Sequence, residues 1–254
     1  MQYGRLVKKA YWAFGGARFL ERASTIIFST SLERDKAKSQ FELPGAEVIP
    51  WPVDLVDCSN EQARRDRIRS ELGIPEDARV LLYFGRLHSM KQPLETIRAV
   101  AKAGDASLHL LMVGNEQDVS LKDCYAVADE CGIAGRVHLI GPVYGEAKFD
   151  YMMAADAYIS LSHRENFNHT AAESLSAGLP LIISPGNDLK GDIADLKCSI
   201  GLCDDEQRTA SDGVEAFNSL PIQEIREMGG GRQKLFWEWA KKLRMKEMQK
   251  KMHF

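Results

Sequence analysis

Ala157-Tyr158-Ile159-Ser160-Leu161 followed by Ser162-His163-Arg164-Glu165-Asn166-Phe167-Asn168-His169-Thr170-Ala171-Ala172-Glu173-Ser174-Leu175-Ser176-Ala177-Gly178-Leu179-Pro180 is the stretch from which the fold is read. Its first five residues have the composition of a buried strand. Ala171 to Ala177 reads as a helix, closed by Gly178 and Pro180. Glu165 then stands at the carboxyl end of a strand, and Glu173 about one turn into the next helix, with seven residues between the two acids. In an open α/β sheet that edge is where ligands bind, and a helix start offers unpaired N–H groups suited to a phosphate. One acid can hold a sugar on one side of such a phosphate, and the other a sugar on its far side.

Working outward, strands alternate with helices. A charged helix from Asn60 to Leu72, stopped by Gly73 and Pro75, precedes the strand Arg79 to Phe84, and the helix Gln92 to Lys102 follows. Next come strand His109 to Val113, helix Leu121 to Glu130, strand Val137 to Ile140, helix Glu146 to Met153, the strand and turn quoted above, and strand Leu181 to Ser184. Gly201-Leu202-Cys203 reads as a last strand, and Asp205 or Glu206 opens a helical region running to Leu220. This alternation implies an α/β fold, a Rossmann-like parallel sheet with helices on both faces. Upstream lies a lone αβαβ piece: a basic and aromatic helix from Leu6 to Arg22, strand Thr25 to Thr30, a short charged helix from Leu32 and strand Ala46 to Pro50. It has too few strands to bury both faces of a sheet.

At 254 residues, 44% hydrophobic and 27% charged, the chain has ample material for a core. A net charge of -3 argues against bulk attraction to nucleic acid, and none is expected as a partner. Arg232 to Phe254 carries eight Lys or Arg against two Glu, about +6, while the rest carries about -9. Leu235, Phe236, Trp239 and Leu243 share one helical face of that tail. Two readings stay open: a helix docked on the protein, or a basic amphipathic helix on an anionic membrane surface. Five cysteines without a Cys-x-x-Cys pair read as free thiols of a reducing compartment. With no apolar run of about 18 residues and no signal-type segment, a cytoplasmic location is expected, with a peripheral membrane position if the tail binds lipid.

The Glu, seven residues, Glu pattern resembles the signature of the retaining glycosyltransferases of family four, which have the two-domain GT-B fold. Val80-Leu81-Leu82-Tyr83-Phe84-Gly85-Arg86-Leu87 with Lys91 is similar to the family's strand, Gly-Arg and lysine. Leu110 to Gly114 and Val137 to Val143 match its next two strands in order. The resemblance implies a donor-binding domain at 55–228, a remnant of the N-terminal acceptor domain at 1–54 and a C-terminal helix at 229–254. Trp51-Pro52-Val53-Asp54 falls at the interdomain crossing, with Pro52 where the family has glycine.

The implied activity is hexosyl transfer, with retention, from a nucleoside diphosphate sugar such as a UDP-hexose or GDP-hexose to a glycan, lipid or small-molecule acceptor, as in polysaccharide biosynthesis. Such a reaction needs charge stabilisation at the leaving diphosphate, from fixed cations and helix N-termini or from a metal. The chain has no Asp-x-Asp, so Arg86 and Lys91 are expected to replace the metal, the first forking across phosphate oxygens and the second as a point charge. Taken alone, both also read as solvated surface cations. By resemblance Glu173 accepts the ribose hydroxyls and Glu165 holds the transferred sugar. Backbone N–H groups of Phe167, Asn168 and His169 face that sugar, and those of Thr170 and Ala171 the phosphates. Asn168 stands where the family usually has glycine, and Asn tolerates the left-handed backbone region better than most residues. Asn168 and Thr170 also read as plain helix caps.

By resemblance Pro142 and Val143 are expected to border the base, with Glu116 and Gln117 in the neighbouring loop; core packing is the other reading of Val143. No Gly-x-Gly-x-x-Gly is present, so the nicotinamide fingerprint is missing. His163 and His169 have no companion ligands, so neither metal nor cofactor is expected. By the same resemblance most of an acceptor domain is expected to be missing from these residues, which leaves a non-catalytic nucleotide-sugar-binding domain served by a separate acceptor-domain subunit as one alternative. A nucleotide-sugar epimerase of related fold is the other.

Overall fold

The structure, a computed structural model, describes residues 7, 11–43, 45–53, 56–196, 198–200, 209–228, 238 and 241. The expected strand at Gly201-Leu202-Cys203, the helix start at Asp205 or Glu206 and nearly all of the basic tail lie outside them.

Five strands form one parallel sheet: β3 (Arg79–Phe84), β4 (Leu108–Val113), β5 (Val137–Ile140), β6 (Ala157–Ser160) and β7 (Leu181–Ile183), in the order β5-β4-β3-β6-β7. The register aligns Leu82 with Leu111 and Tyr158, and Met112 with Leu139. Central strands in such a sheet are covered on both faces, which is why β4 is buried at every position and β3 from Val80 to Tyr83. One face joins Leu82, Leu111, Val113 and Ile183 to Ile68 of α3 (Glu61–Glu71), Phe149 and Met152 of α6 (Ala147–Ala154), and Leu175 of α7 (His169–Ser176). The other joins Leu81, Leu110, Met112 and Ile182 to Ile97 of α4 (Pro93–Lys102), Val127 of α5 (Leu121–Glu130) and Phe217 of α9 (Ala210–Ser219). The expected doubly covered parallel sheet is therefore the observed one.

Local chemistry sets the boundaries. Ser120 and Asp123 form a reciprocal capping box at the start of α5, and Thr209 and Asp212 do the same at α9. At the amino end of the sheet, Asp156 is 1% exposed and accepts hydrogen bonds from Arg65 Nη2 (2.6 Å), Arg69 Nη2 (2.9 Å) and the Val80 amide (2.8 Å). Arg65 and Arg69 also donate to the carbonyls of Ala155 and Ala154, so the arrangement staples α3 to the turn before β6.

The first segment is a parallel pair, β1 (Ile26–Phe28) and β2 (Ala46–Val48), with α2 (Ser31–Lys38) between them. As expected for so small a sheet, one side is open, and Ile27 is 62% exposed. The single helix expected from Leu6 to Arg22 is not seen over its described part. A π-helical turn at Trp12–Gly16 is broken by Gly15 (φ 124°) before the short α1 (Ala17–Glu21). A glycine at positive φ cannot continue a right-handed helix. No helix among the described residues is long and apolar enough to cross a membrane.

Candidate functional site

Strand order reverses beside β3: β4 and β5 lie on one side of it, β6 and β7 on the other. At such a switch point the connections leaving adjacent carboxyl ends diverge and open a crevice. The exits of β3 and β6 carry Arg86, Lys91 and Glu165.

The β3 exit is held against the β4 exit. Leu87, 1% exposed, donates its amide to the Asn115 carbonyl (2.8 Å) and accepts from Gln117 (3.2 Å). Gly114, at φ 159°, has to be glycine, because a Cβ there would lie 1.8 Å from the Gly85 carbonyl oxygen. Arg86 is exposed, and its Nη1 donates to Gln117 Oε1 at 2.8 Å. The chain then turns through Ser89–Lys91 and reaches Gln92, a non-glycine residue at φ 56°, before Pro93 starts α4. That turn brings the Lys91 ammonium into an ion pair with Glu165 Oε2.

Glu165 is fixed by its backbone. Its amide donates to the Gly186 carbonyl (3.0 Å) and its carbonyl accepts from Asp188 (2.8 Å), a short parallel bridge beyond the end of the sheet. Phe167 is buried and anchors the loop. Asn168 adopts φ 54°, ψ 73°, the left-handed conformation, with its side chain tied down. Oδ1 accepts from the Ala171 amide (3.1 Å) and the Tyr158 hydroxyl (3.4 Å), while Nδ2 donates to Ser160 Oγ (3.3 Å). Burial raises the Tyr158 phenol pKa far above its ordinary value, so it is a neutral donor here. Because Asn168 is the cap, α7 starts at His169, two residues before the Ala171 expected from the sequence. The amides of His169 and Thr170, in the first turn, then have no intrahelical acceptor.

Glu173 is one turn further, and its Oε1 accepts from Lys148 Nζ at 2.6 Å, each side chain being 16% exposed. Lys148 lies in the first turn of α6, with its ammonium 4.8 Å from the Phe149 ring centroid. Sequence reasoning missed it. A cation in the first turn of a helix that follows a parallel strand lies on the carboxyl edge of the sheet, and that position was the available signal. Val143, after β5, is partly buried against the core, and Pro142 beside it is exposed. Gln117 is taken up by Arg86, and Glu116 Oε1 accepts from the Leu121 amide (2.6 Å) at the start of α5. His163 contacts Gln92, and His169 packs at a tilt against Trp51 and edge-on against Phe167.

The arrangement thus brings Lys91 to Glu165 and Lys148 to Glu173, places Arg86 and Val143 on the same edge, and sets the start of α7 between the two acids. Chemically it offers cations and free amides to an anion, and two carboxylates to hydroxyl groups on either side of it. Among the described residues, no three His, Cys, Asp or Glu side chains gather as a metal-ligand set.

A family model described as glycosyl transferases group 1 matches residues 64–224. A D-inositol 3-phosphate glycosyltransferase of Streptosporangium roseum is 31% identical over 195 residues, covering 71% of this chain and 44% of its own. The sucrose-phosphate synthase structure from Thermosynechococcus elongatus superposes with a TM-score of 0.72 at 21% identity, covering 93% of this chain and 60% of its own. Anabaena HepE in complex with UDP superposes with a TM-score of 0.77 at 15% identity, covering 94% and 66%. The chain spans 41% to 45% of the length of the first of the curated relatives it matches.

Proposed function

The chain belongs to the glycosyl transferases group 1 family and has the GT-B type of C-terminal domain, and on that premise we propose that it binds a nucleoside diphosphate sugar in the crevice between the β3 and β6 exits. In this reading the nucleotide's ribose hydroxyls donate to Glu173. The diphosphate lies over the first turn of α7, with Lys91 and Arg86 as its cations. The transferred hexose sits against Glu165, and Val143 borders the base. Transfer of that hexose proceeds with retention and without a metal, because fixed cations and helix amides take the charge that grows on the leaving diphosphate. No cofactor is required. Residues 55–228 are the donor domain and 1–54 the end of an acceptor domain.

The observation that carries the reading is the pairing of each signature acid with a lysine from a different strand exit, Lys91 with Glu165 and Lys148 with Glu173, on either side of one helix start. Structures of Anabaena HepE contain UDP, and one contains UDP with glucose, which supports a nucleotide-sugar ligand for this architecture. Orientation of both substrates contributes much of the rate of such a transfer, and in this reading the acceptor approaches from the side of the crevice that carries β1, α2 and β2.

Calorimetric titration with uridine, guanosine and adenosine diphosphates and their hexose conjugates tests this. Saturable binding of at least one diphosphate, strengthened by the attached sugar, is the expected result. Absence of binding by all of them refutes the donor-domain reading, and a stereochemical change in the free sugar nucleotide replaces it with the epimerase.

A further inference from the structure

Trp51 leaves 58% of its surface open to water, yet its ring is not loosely placed. The indole lies 5.9 Å from the His169 ring, tilted by 46°, and His169 in turn packs edge-on against Phe167 at 5.1 Å. Phe167 is 3% exposed, so the three rings form a contiguous row anchored in the core and ending in an open aromatic face. A single exposed aromatic residue needs no explanation. One that is backed by two others at the start of the helix between Glu165 and Glu173 is a built surface.

Its surroundings define the ligand. Trp51 follows β2, whose neighbour β1 leads through Ser29 and Thr30 into α2. From that helix, Glu33 Oε1 accepts from the side-chain amide of Asn166 (2.6 Å), the residue next to Glu165. Ser31 donates through its amide (3.0 Å) and hydroxyl (2.5 Å) to Asp192. Lys36 pairs with Asp188, whose own amide holds the Glu165 carbonyl. The carboxyl edge of the β1-β2 pair, from which Trp51 also emerges, is therefore locked against the Glu165 loop through these carboxylate, amide and hydroxyl groups. The flat C–H face of a pyranose stacks on such a ring, while its hydroxyls need polar partners of this kind.

We propose that Trp51, backed by His169, is a stacking subsite for the pyranose ring of the acceptor. The inference rests on the glycosyl-transfer reading. It assigns the acceptor, and not the donor hexose, to this ring because the cations and Glu173 belong to the connections of the five-stranded sheet, whereas Trp51 comes from the separate β1-β2 pair.

The test is saturation-transfer NMR of methyl α-glycosides of glucose, galactose and mannose with the whole chain, in the presence of a saturating nucleoside diphosphate. Calorimetry of the diphosphates and their hexose conjugates runs in parallel on the same proteins. Contact to at least one glycoside is expected in the unaltered protein, weakened roughly 3- to 10-fold in Trp51→Ala and largely kept in Trp51→Phe. Both variants should retain the unaltered affinity for diphosphates and sugar nucleotides, which also shows that they are folded. Equal glycoside contact in Trp51→Ala overturns the subsite, as does no glycoside contact in a protein that binds a diphosphate. Selective loss of the sugar nucleotide moves the ring to the donor hexose and overturns the acceptor assignment. A protein that binds no diphosphate, yet contacts glycosides through Trp51, keeps the subsite and removes the transfer reading instead.

Discussion

Neutralising Glu165 and removing Lys91 should act in different directions on the same ligand, although the two side chains form one ion pair. Lys91 is 23% and Glu165 20% exposed, so the pair is partly screened and not buried. At an effective dielectric near 20 the gross attraction at contact is about 4 kcal/mol, most of which is offset by lost hydration, leaving a net of about 1 kcal/mol. To reach a phosphate, the ammonium has to share or give up its carboxylate partner, and that net is what a bare diphosphate works against. Glu165→Gln removes the competing charge while keeping the shape. Affinity for a nucleoside diphosphate without sugar should stay constant or rise by up to about 5-fold. Lys91→Ala removes a charged donor altogether, which costs about 1 to 3 kcal/mol, or roughly 5- to 150-fold in affinity.

Calorimetry at low and at physiological ionic strength reads both effects, and equal melting temperatures check that each variant is folded. With the sugar-bearing donor the order changes: Glu165→Gln should lose the extra affinity that the hexose brings. If Glu165→Gln weakens the bare diphosphate as much as Lys91→Ala does, the pair is a structural clasp between strand exits, and the assignment of phosphate to one partner and sugar to the other is wrong.

Asp156→Ala leaves Arg65 and Arg69 as buried cations without their shared carboxylate, and should cost about 3–5 kcal/mol in urea unfolding. A loss under about 1 kcal/mol would mean that the carbonyls around the two guanidinium groups suffice. Gly114→Ala drives a Cβ into the Gly85 carbonyl, so unfolding should become easier by more than about 2 kcal/mol, with diphosphate affinity falling as the Arg86 turn shifts. Full stability with unchanged affinity would show that the two strand exits are not pressed together. His109, 7% exposed and 2.9 Å from His138, has its pKa lowered to about 4, first by burial and then by the charges of His138 and Arg136. Unfolded, it titrates near 6.5, so its contribution is complete above that pH. Stability then falls by up to about 1.4 kcal/mol per unit as the pH drops towards 4. His109→Gln should flatten that slope in urea unfolding between pH 7 and 5, and an unchanged slope would place the titration elsewhere.

The strands were legible because they are apolar runs that end on glycine: Phe84-Gly85, Val113-Gly114 and Ile140-Gly141 mark the observed ends of β3, β4 and β5. Where both faces of a sheet are covered, no alternation of polar and apolar residues is needed to recognise a strand, and length with flanking glycine decides. The start of α7 was less legible. Its first turn, His169 and Thr170, is polar because it faces the crevice, and a polar first turn looks like loop in a pattern that counts apolar residues. The ion pairs were not legible at all. Lys91 and Glu165 lie 74 positions apart, and Lys148 and Glu173 lie 25 apart on different elements, so only the strand order makes them neighbours.

Asn168 shows how a local sequence rule and a tertiary one combine at such a site. Its left-handed backbone is one that glycine adopts without strain, and for other residues it costs on the order of 1–2 kcal/mol, less for asparagine. Here the side chain repays that cost, since its amide group meets the Ala171 amide, the Tyr158 hydroxyl and Ser160 Oγ in a place only 4% exposed. Hydrogen bonds contribute about 0.5–1.5 kcal/mol each when made, and a buried donor left without its partner costs 1–3 kcal/mol. The strained turn is therefore maintained by residues of β6, and the orientation of the α7 start depends on Tyr158 and Ser160 as much as on the turn itself. A glycine at this position would keep the backbone free of strain and yet leave the phenol and the serine to find other partners. The loop between Glu165 and Glu173 is consequently fixed from beneath by the sheet, which is what a crevice needs if its two acids are to hold their spacing while a ligand enters between them.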